Sequence, residues 1–259
     1  MSVAKSWDEL QKMHRACTIT VETLEVLAQA AQAGVTTKEL DRIAHDCIVK
    51  AGARPAFLGY RDYPATLCIS INEEVVHGIP GPRKLREGDI VGLDLGCIWK
   101  GFYGDAARTV GVGQVDARAA ELMRVTREAL LAGIEQCWPK KRLGDIGWAV
   151  QSHAEGHGYS VVREFVGHGI GTRLHEEPQV PNYGPPGRRE RLVPGLTLAI
   201  EPMLNVGRPE VKVLDDGWTA VTRDGSLSAH FELTVAVTEH GPWILSEPWP
   251  YAARPELHA

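Results

Sequence analysis

The stretch Gly92-Leu93-Asp94-Leu95-Gly96-Cys97-Ile98-Trp99-Lys100-Gly101-Phe102-Tyr103-Gly104-Asp105 decides how this chain is read. Its apolar residues favour strands, and Trp99-Lys100-Gly101 supplies a tight turn, so the segment predicts a β-hairpin. With the turn centred between Trp99 and Lys100, Asp94 and Asp105 fall directly opposite each other. The Cβ atoms of such a pair stand roughly 4.5–5.5 Å apart, and like charges there destabilise the ladder. Asp94 also sits among Ile90, Val91, Leu93 and Leu95, where an unpaired charge is costly. A shared proton or a bound cation would relieve the pair.

Other segments repeat the anomaly. Glu201 lies in Leu196-Thr197-Leu198-Ala199-Ile200-Glu201-Pro202-Met203-Leu204, and Glu232 in His230-Phe231-Glu232-Leu233-Thr234-Val235-Ala236-Val237, each a carboxylate in an apolar strand. His168 sits in Phe165-Val166-Gly167-His168-Gly169-Ile170-Gly171, read as a glycine-flanked turn after an apolar segment and suited to a ligand at a pocket edge. A single aspartate pair is equally well explained by a misjudged register with one carboxylate in solvent. Four acids in apolar strands plus this histidine are not explained by packing. They suit two divalent ions a few ångströms apart, bridged by carboxylates. Oxygen ligands with one imidazole favour Mn, Fe, Co or Zn over Ca or Cu.

Around this core the chain alternates helices and strands twice. Leu10, Met13, Cys17, Val21, Leu24 and Leu27 predict a helix from about Trp7 to Ala33, ended by Gly34. Thr36-Thr37-Lys38-Glu39 is a capping box for a second helix that Gly52 closes. Strand signals then run from Thr66 to Val112. Asp116 caps a long helix carrying Ala119, Leu122, Val125, Leu130 and Ile134, and a shorter one starts at Asp145 and ends near Gly158. Strands are predicted at 159–166, 196–204 and 231–238. The order implies an internal duplication, with pseudo-repeat halves at about 7–112 and 116–240 inside a single domain spanning 1–259. The fold class is α+β, with helices layered on a mostly antiparallel sheet. The Pro-, Gly- and Arg-rich segment Pro178–Gly195 predicts an exposed connection, and the Pro-rich tail after Trp243 a surface segment.

Composition removes several classes of function. A formal charge of -5 leaves no electrostatic footprint for DNA or an anionic membrane. No run approaches the roughly 20 apolar residues of a membrane span. The N-terminus shows no basic region followed by an apolar one, and five scattered cysteines without CxxC spacing argue against a disulfide framework. A cytoplasmic protein is expected.

His77 in Ser70-Ile71-Asn72-Glu73-Glu74-Val75-Val76-His77-Gly78-Ile79-Pro80 joins the pattern, as do the Asp94/Asp105 spacing and Gly167-His168-Gly169-Ile170-Gly171 followed by His175-Glu176-Glu177-Pro178. With Ala199-Ile200-Glu201-Pro202 and Ser228-Ala229-His230-Phe231-Glu232, these motifs resemble the type I methionine aminopeptidases over nearly the whole chain. The resemblance implies the pita-bread fold, two pseudo-symmetric halves around a curved antiparallel sheet with helices outside. It implies removal of N-terminal methionine when the second residue is small. By it, Asp94, Asp105, His168, Glu201 and Glu232 ligate two divalent ions, with Asp105 and Glu232 bridging them. The bridged ions would lower the pKa of a shared water, and Glu201 is the implied proton acceptor. His77 and His175 would contact the scissile amide and stabilise the tetrahedral intermediate. The second ion would take the substrate's α-amine. Tyr60, Tyr63, Cys68, Trp218, His77 and Leu174 would line the methionine pocket, whose thioether guest favours aromatic edges. Leu174 stands where relatives commonly carry an aromatic, and His230 where they often carry Gln. A monovalent cation site is implied near Asn72, Glu74 and Ser228. Only 31 positions separate Glu201 from Glu232, too few for the helical insertion of type II relatives. The implied substrates are short peptides and nascent chains. Ribosome contact is a further implied partner, and a monomer is expected.

Three rivals are weighed. A proline-specific pita-bread aminopeptidase usually carries a long additional N-terminal domain. A metal-free pita-bread binding module would not need all five ligand positions intact. A mononuclear iron oxygenase wants two histidines and one carboxylate rather than four carboxylates.

Overall fold

The computed structural model describes residues 4–248 and 250. Helix starts follow the local sequence closely. Helix α1 (Trp7–Ala30) opens on a capping box in which Ser6 Oγ accepts from Glu9 N and the Glu9 carboxylate accepts from Ser6 N. Helix α2 (Thr37–Lys50) repeats this with Thr36 and Glu39. Asp116 caps α3 (Ala117–Ile134) by accepting from Ala119 N. Helix α4 (Leu143–Gly156) begins before Asp145, because that carboxylate reaches back to Arg142 N from the first turn instead of occupying the cap itself. Helix α1 also stops short of Ala33, and α4 short of Gly158.

The first half contributes β1 (Arg54–Pro55), β2 (Leu67–Ile71), β3 (Glu74–Val76), β4 (Ile90–Trp99) and β5 (Phe102–Gly111). The second contributes β6 (Ser160–Val161), β7 (Gly167–Gly169), β8 (Glu176–Val180), β9 (Thr197–Ile200) and β10 (Met203–Asn205). After these come β11 (Val211–Val213), β12 (Ala220–Thr222), β13 (Ser228–His230), β14 (Glu232–Thr238) and β15 (Gly241–Ile244). The main sheet runs β1-β4-β5-β14-β9-β7-β8, with β2 also on β4 and β15 also on β14. Two three-stranded sheets, β13-β10-β6 and β11-β12-β3, complete the set. All pairings between these strands are antiparallel.

Helix α1 packs on β4 and β5, while α3 packs on α4 and touches β5, β9 and β14. One core joins Leu10, Met13 and Leu24 to Leu67, Leu93 and Leu95; another joins Leu130, Ile134 and Ile146 to Leu198, Ile200 and Val235. Burying each such side chain contributes about 1.5–3 kcal/mol. At Gly104 a Cβ would collide with the backbone of Ala16 and Cys17, so only glycine lets α1 lie directly on β5.

Five expectations are corrected. The hairpin turn centres one residue later, with Trp99 paired to Phe102, so Asp94 faces Ala107 and Asp105 faces Gly96. The two carboxylates are diagonal rather than opposite, and still share a face because the offset is two. His168 lies in β7, not in a turn. Its flanking glycines serve close approach: a Cβ at Gly167 would strike Ala199 O, and one at Gly169 would strike Glu177 O. The long strands predicted at 159–166, 196–204 and 231–238 are shorter. Glu201 and Pro202 fall between β9 and β10, where the chain leaves the main sheet, and Phe231 separates β13 from β14. The tail is not wholly superficial, since Trp243 and Leu245 are buried and Trp243 stacks on Trp7 of α1 at 5.6 Å. Residues 249 and 251–259 lie outside the described residues. The Pro178–Gly195 connection is exposed over 185–191, but β8 enters it and Asn182 is fully buried.

Candidate active site

Five adjacent strands of the main sheet, β4, β5, β14, β9 and β7, each bring one acid or histidine to the same region. Asp94 is on β4, Asp105 on β5, Glu232 on β14, His168 on β7, and Glu201 immediately follows β9. Register places them on one face. Asp94 and Glu232 both pair with Ala107, and Asp105 is two residues from Ala107 on the same strand. Leu233 pairs with Ile200, so continuing that ladder by one residue brings Glu201 beside Glu232. His168 pairs with Ala199, two residues from Glu201. The period of two then points all five side chains the same way.

The atoms converge. His168 Nε2 is 3.6 Å from Glu201 Oε1 and 3.9 Å from Asp105 Oδ2. Asp105, His168 and Glu232 each offer a ligand atom within 4.8 Å of the others, and so do Glu201, His230 and Glu232. Burial raises the carboxyl pKa values of Asp94, Asp105, Glu201 and Glu232. Repulsion from Asp105 adds to the rise at Asp94, Glu201 and Glu232. Burial lowers the imidazole pKa of His168 to about 3, with His175 adding to the effect, so its Nε2 is neutral and free to donate a lone pair. His168 Nδ1 lies 2.9 Å from Gly169 O and donates to it, which fixes that tautomer.

These residues fit a divalent metal. Asp94 Oδ1, Asp105 Oδ1, Glu232 Oε1 and His230 Nε2 are buried and find no hydrogen-bond partner among the described residues. Orphaned oxygens and an unpartnered imidazole nitrogen crowded into one desolvated site are costly unless a cation meets them. The chain otherwise anchors the cluster by its backbone. Thr234 Oγ1 donates to Asp105 O, Thr109 Oγ1 donates to His230 O, and Asn182 Nδ2 donates to Glu201 O.

Above the cluster opens a cavity of about 630 Å³, partly continuous with solvent. The twelve side chains that the resemblance assigns to the ions, the catalytic histidines and the methionine pocket all line it: the five above with His77, His175, Tyr60, Tyr63, Cys68, Leu174 and Trp218. Tyr63 meets Trp218 edge-on at 5.0 Å, and His77 stands edge-on to Phe165 at 5.3 Å. Burial lowers His77 to about 4. His175 is lowered by burial and then by the Arg61 guanidinium; its Nδ1 lies 2.8 Å from the Tyr60 hydroxyl, and its ring packs 4.2 Å from that of His168. Leu174 is buried in the wall. Of the cation trio, Asn72 O accepts from Ser228 N, but the Glu74 carboxylate is engaged by Arg83 and Ile71 N.

Sequence reasoning passed over Phe57 and Arg61 in the wall, and gave His230 no role. His230 is 3% exposed, with Nε2 3.8 Å from Glu201 Oε2, so Glu201 is flanked by imidazoles on both oxygens. Its signal was a histidine two residues before Glu232, at the end of a buried strand; nothing local marks Phe57 or Arg61.

The site's class and the chain's relatives agree. Residues 11–239 match metallopeptidase family M24, and the chain belongs to that family. It is 51% identical over 246 residues to a methionine aminopeptidase of Clostridium perfringens, covering 95% of this chain and 99% of that one. Its structure is similar to that of a methionine aminopeptidase from Thermotoga maritima, with TM-score 0.94, 45% identity, and coverage of 96% of this chain and 100% of the other. A prolidase from Pyrococcus furiosus shares the fold alone, at TM-score 0.77 and 21% identity, over 96% of this chain and 66% of that one. The fold is thus the pita-bread fold of these enzymes.

Proposed function

We propose that this chain is a metalloaminopeptidase that hydrolyses the N-terminal methionine from polypeptides whose second residue is small. One observation carries the reading. A single cavity joins a floor of four carboxylates, with Asp105 and Glu232 buried and Asp94 and Glu201 mostly so, and a neutral histidine to an apolar, aromatic wall closed by Cys68 and Leu174. In this proposal Asp94, Asp105, His168, Glu201 and Glu232 hold two divalent ions drawn from Co, Mn, Fe and Zn. Such ions supply an acidified water and polarise a carbonyl oxygen.

The protein's own groups do the rest. Tyr63, Cys68, Trp218, Tyr60 and Leu174 enclose the methionine side chain, excluding water and holding the scissile bond in place. Glu201 accepts the proton of the attacking water. His175 and His77, neutral because burial depresses both, donate to the carbonyl oxygen and the amide nitrogen as charge develops. The Tyr60 hydroxyl at His175 Nδ1 holds that ring in place. Glu201 itself lies between His168 and His230. We further place the enzyme as a single catalytic domain, an internal duplication acting as a monomer in the cytoplasm on nascent chains, with ribosome contact and a monovalent cation near Asn72 and Ser228 as subsidiary proposals. No helix among the described residues is long and apolar enough to cross a membrane.

The test is release of free amino acid from Met-Ala-Ser and Ala-Pro peptides, before and after chelation and with Mn, Fe, Co or Zn restored. Methionine release that vanishes on chelation and returns with metal is expected. Preference for the Ala-Pro peptide would overturn the substrate assignment, and hydrolysis indifferent to chelation would overturn the mechanism.

A further inference from the structure

A second group of metal-ligating side chains lies on the helices, and none of its members lines the cavity. Glu128 is on α3; His153 is on α4, and His157 caps that helix four residues later. Spacing of i and i+4 puts both imidazoles on one side of the helix, with ring centroids 4.5 Å apart. Each of the three residues offers a ligand atom within 4.8 Å of the other two.

The geometry is close to what a cation needs. Ligands about 2.0–2.1 Å from a tetrahedral zinc stand roughly 3.4 Å from one another. His153 Nε2 and Glu128 Oε2 are already 3.3 Å apart. His157 Nδ1 lies 2.8 Å from His153 O and donates to it, which leaves the Nε2 lone pair outward and fixes the tautomer a ligand requires. Two groups compete with a cation: Arg124, whose Nη1 meets both Glu128 oxygens at 2.8 and 2.7 Å, and the proton that His153 Nε2 donates to Glu128, which a bound ion must displace. The Arg124–Glu128 pair is half-exposed, and exposed ion pairs contribute little. A divalent ion with two imidazoles can displace it.

We propose that Glu128, His153 and His157 form a non-catalytic site for a divalent transition cation of the imidazole-binding class, Zn²⁺ or Ni²⁺, that ties α3 to α4. Two nitrogen ligands and one oxygen exclude Mg²⁺ and Ca²⁺ as preferred guests. Three protein ligands leave a coordination position open to water, as a surface site requires.

The experiment is equilibrium dialysis of the full chain against Zn²⁺ and Ni²⁺, comparing the wild type with a His153→Ala/His157→Ala variant. The wild type should hold one more equivalent, while methionine-releasing activity at low metal is the same in both. Equal stoichiometry overturns the site and leaves His157 a helix cap only. Glu128→Gln should weaken this equivalent at least as much as the about tenfold cost of losing an outer hydrogen-bond partner of a metal ligand. Arg124→Ala, which releases Glu128, should tighten it severalfold. Unchanged affinity in Glu128→Gln overturns the three-ligand assignment. Ni²⁺ should broaden the backbone amide resonances of residues 124–128 and 153–157 in the wild type; the same broadening in the double variant would overturn the location.

Discussion

The chain gathers carboxylates and histidines twice, in opposite surroundings. At Glu128, His153 and His157 the groups are exposed or half-exposed, and a guanidinium and a carbonyl satisfy them. At Asp94, Asp105, Glu201 and Glu232 the carboxylates are buried beside one another and several oxygens meet no partner among the described residues. The same donor types therefore carry different information. Solvent screens the helical cluster, so it costs the fold nothing and can be filled or left. In the sheet, desolvation makes the cluster a liability that a cation removes. Strong perturbation of titratable groups inside a cavity, rather than ligand count, separates the catalytic candidate from the auxiliary one.

Substitutions test that contrast most severely at the proposed bridging acids. Asp105→Ala or Glu232→Ala should reduce turnover by more than about a thousandfold, the scale of losing a group that acts within a catalytic unit. Metal analysis should show weakened binding, and His153→Ala should leave both readouts at the catalytic centre unchanged. Retained turnover in the Asp105 variant would end the dinuclear assignment.

Next comes His175→Ala, expected to lower kcat by about a hundredfold through loss of a donor to developing charge, with the metal content intact. A change in metal content instead would make His175 a ligand.

Metal affinity at the buried cluster should also depend on pH. Burial raises the Asp105 carboxyl to about 7 and raises its neighbours too, so in the metal-free protein protons compete with a cation for these oxygens over this range. Affinity should then rise from pH 6 to pH 8, by up to about tenfold per unit for each proton released. The sign for stability follows from linkage. A raised carboxyl contributes stability that is present below its ordinary value near 4 and lost as pH rises through the raised one. Depressed imidazoles, His77, His168 and His230, contribute stability that is present above about 6.5 and lost as pH falls. The Tm gap between metal-loaded and chelated protein should widen from pH 6 to pH 8; a constant gap would mean the acids are ionised without metal.

The smallest effect is expected at His230. Its alanine variant should weaken metal binding about tenfold by removing the imidazole that stands 3.8 Å from Glu201, while His230→Gln, which keeps a polar group there, should largely restore it. Equal losses in both variants would mark a packing role.

Much of the site was legible because an acid in an apolar strand contradicts its own surroundings. Asp94 and Asp105 announce themselves in this way, and Glu232 nearly so. The hairpin turn was placed one residue too early, which shifts every partner by two, because three residues, Trp99, Lys100 and Gly101, can all take the corner. Parity survived the error, so the shared face did too. His168 was found as a residue but misassigned as to backbone. Glycines that permit close strand approach look the same in sequence as glycines that turn. Phe57 and Arg61 were missed because nothing in their neighbourhood is anomalous.

Sequence alone determined the helix caps at Ser6, Thr36 and Asp116, the strand pattern around Asp94, and the identities of the candidate ligands. These depend on neighbours a few positions away, through hydrogen bonds and periodicity that a chain carries locally. Only the tertiary structure decided that β4, β5, β14, β9 and β7 lie side by side, so that residues from position 94 to position 232 share one face. It alone set His230 against Glu201, and His157 against a helix from elsewhere in the chain. Long-range pairing and desolvation are properties of the packed sheet, and no short segment contains them.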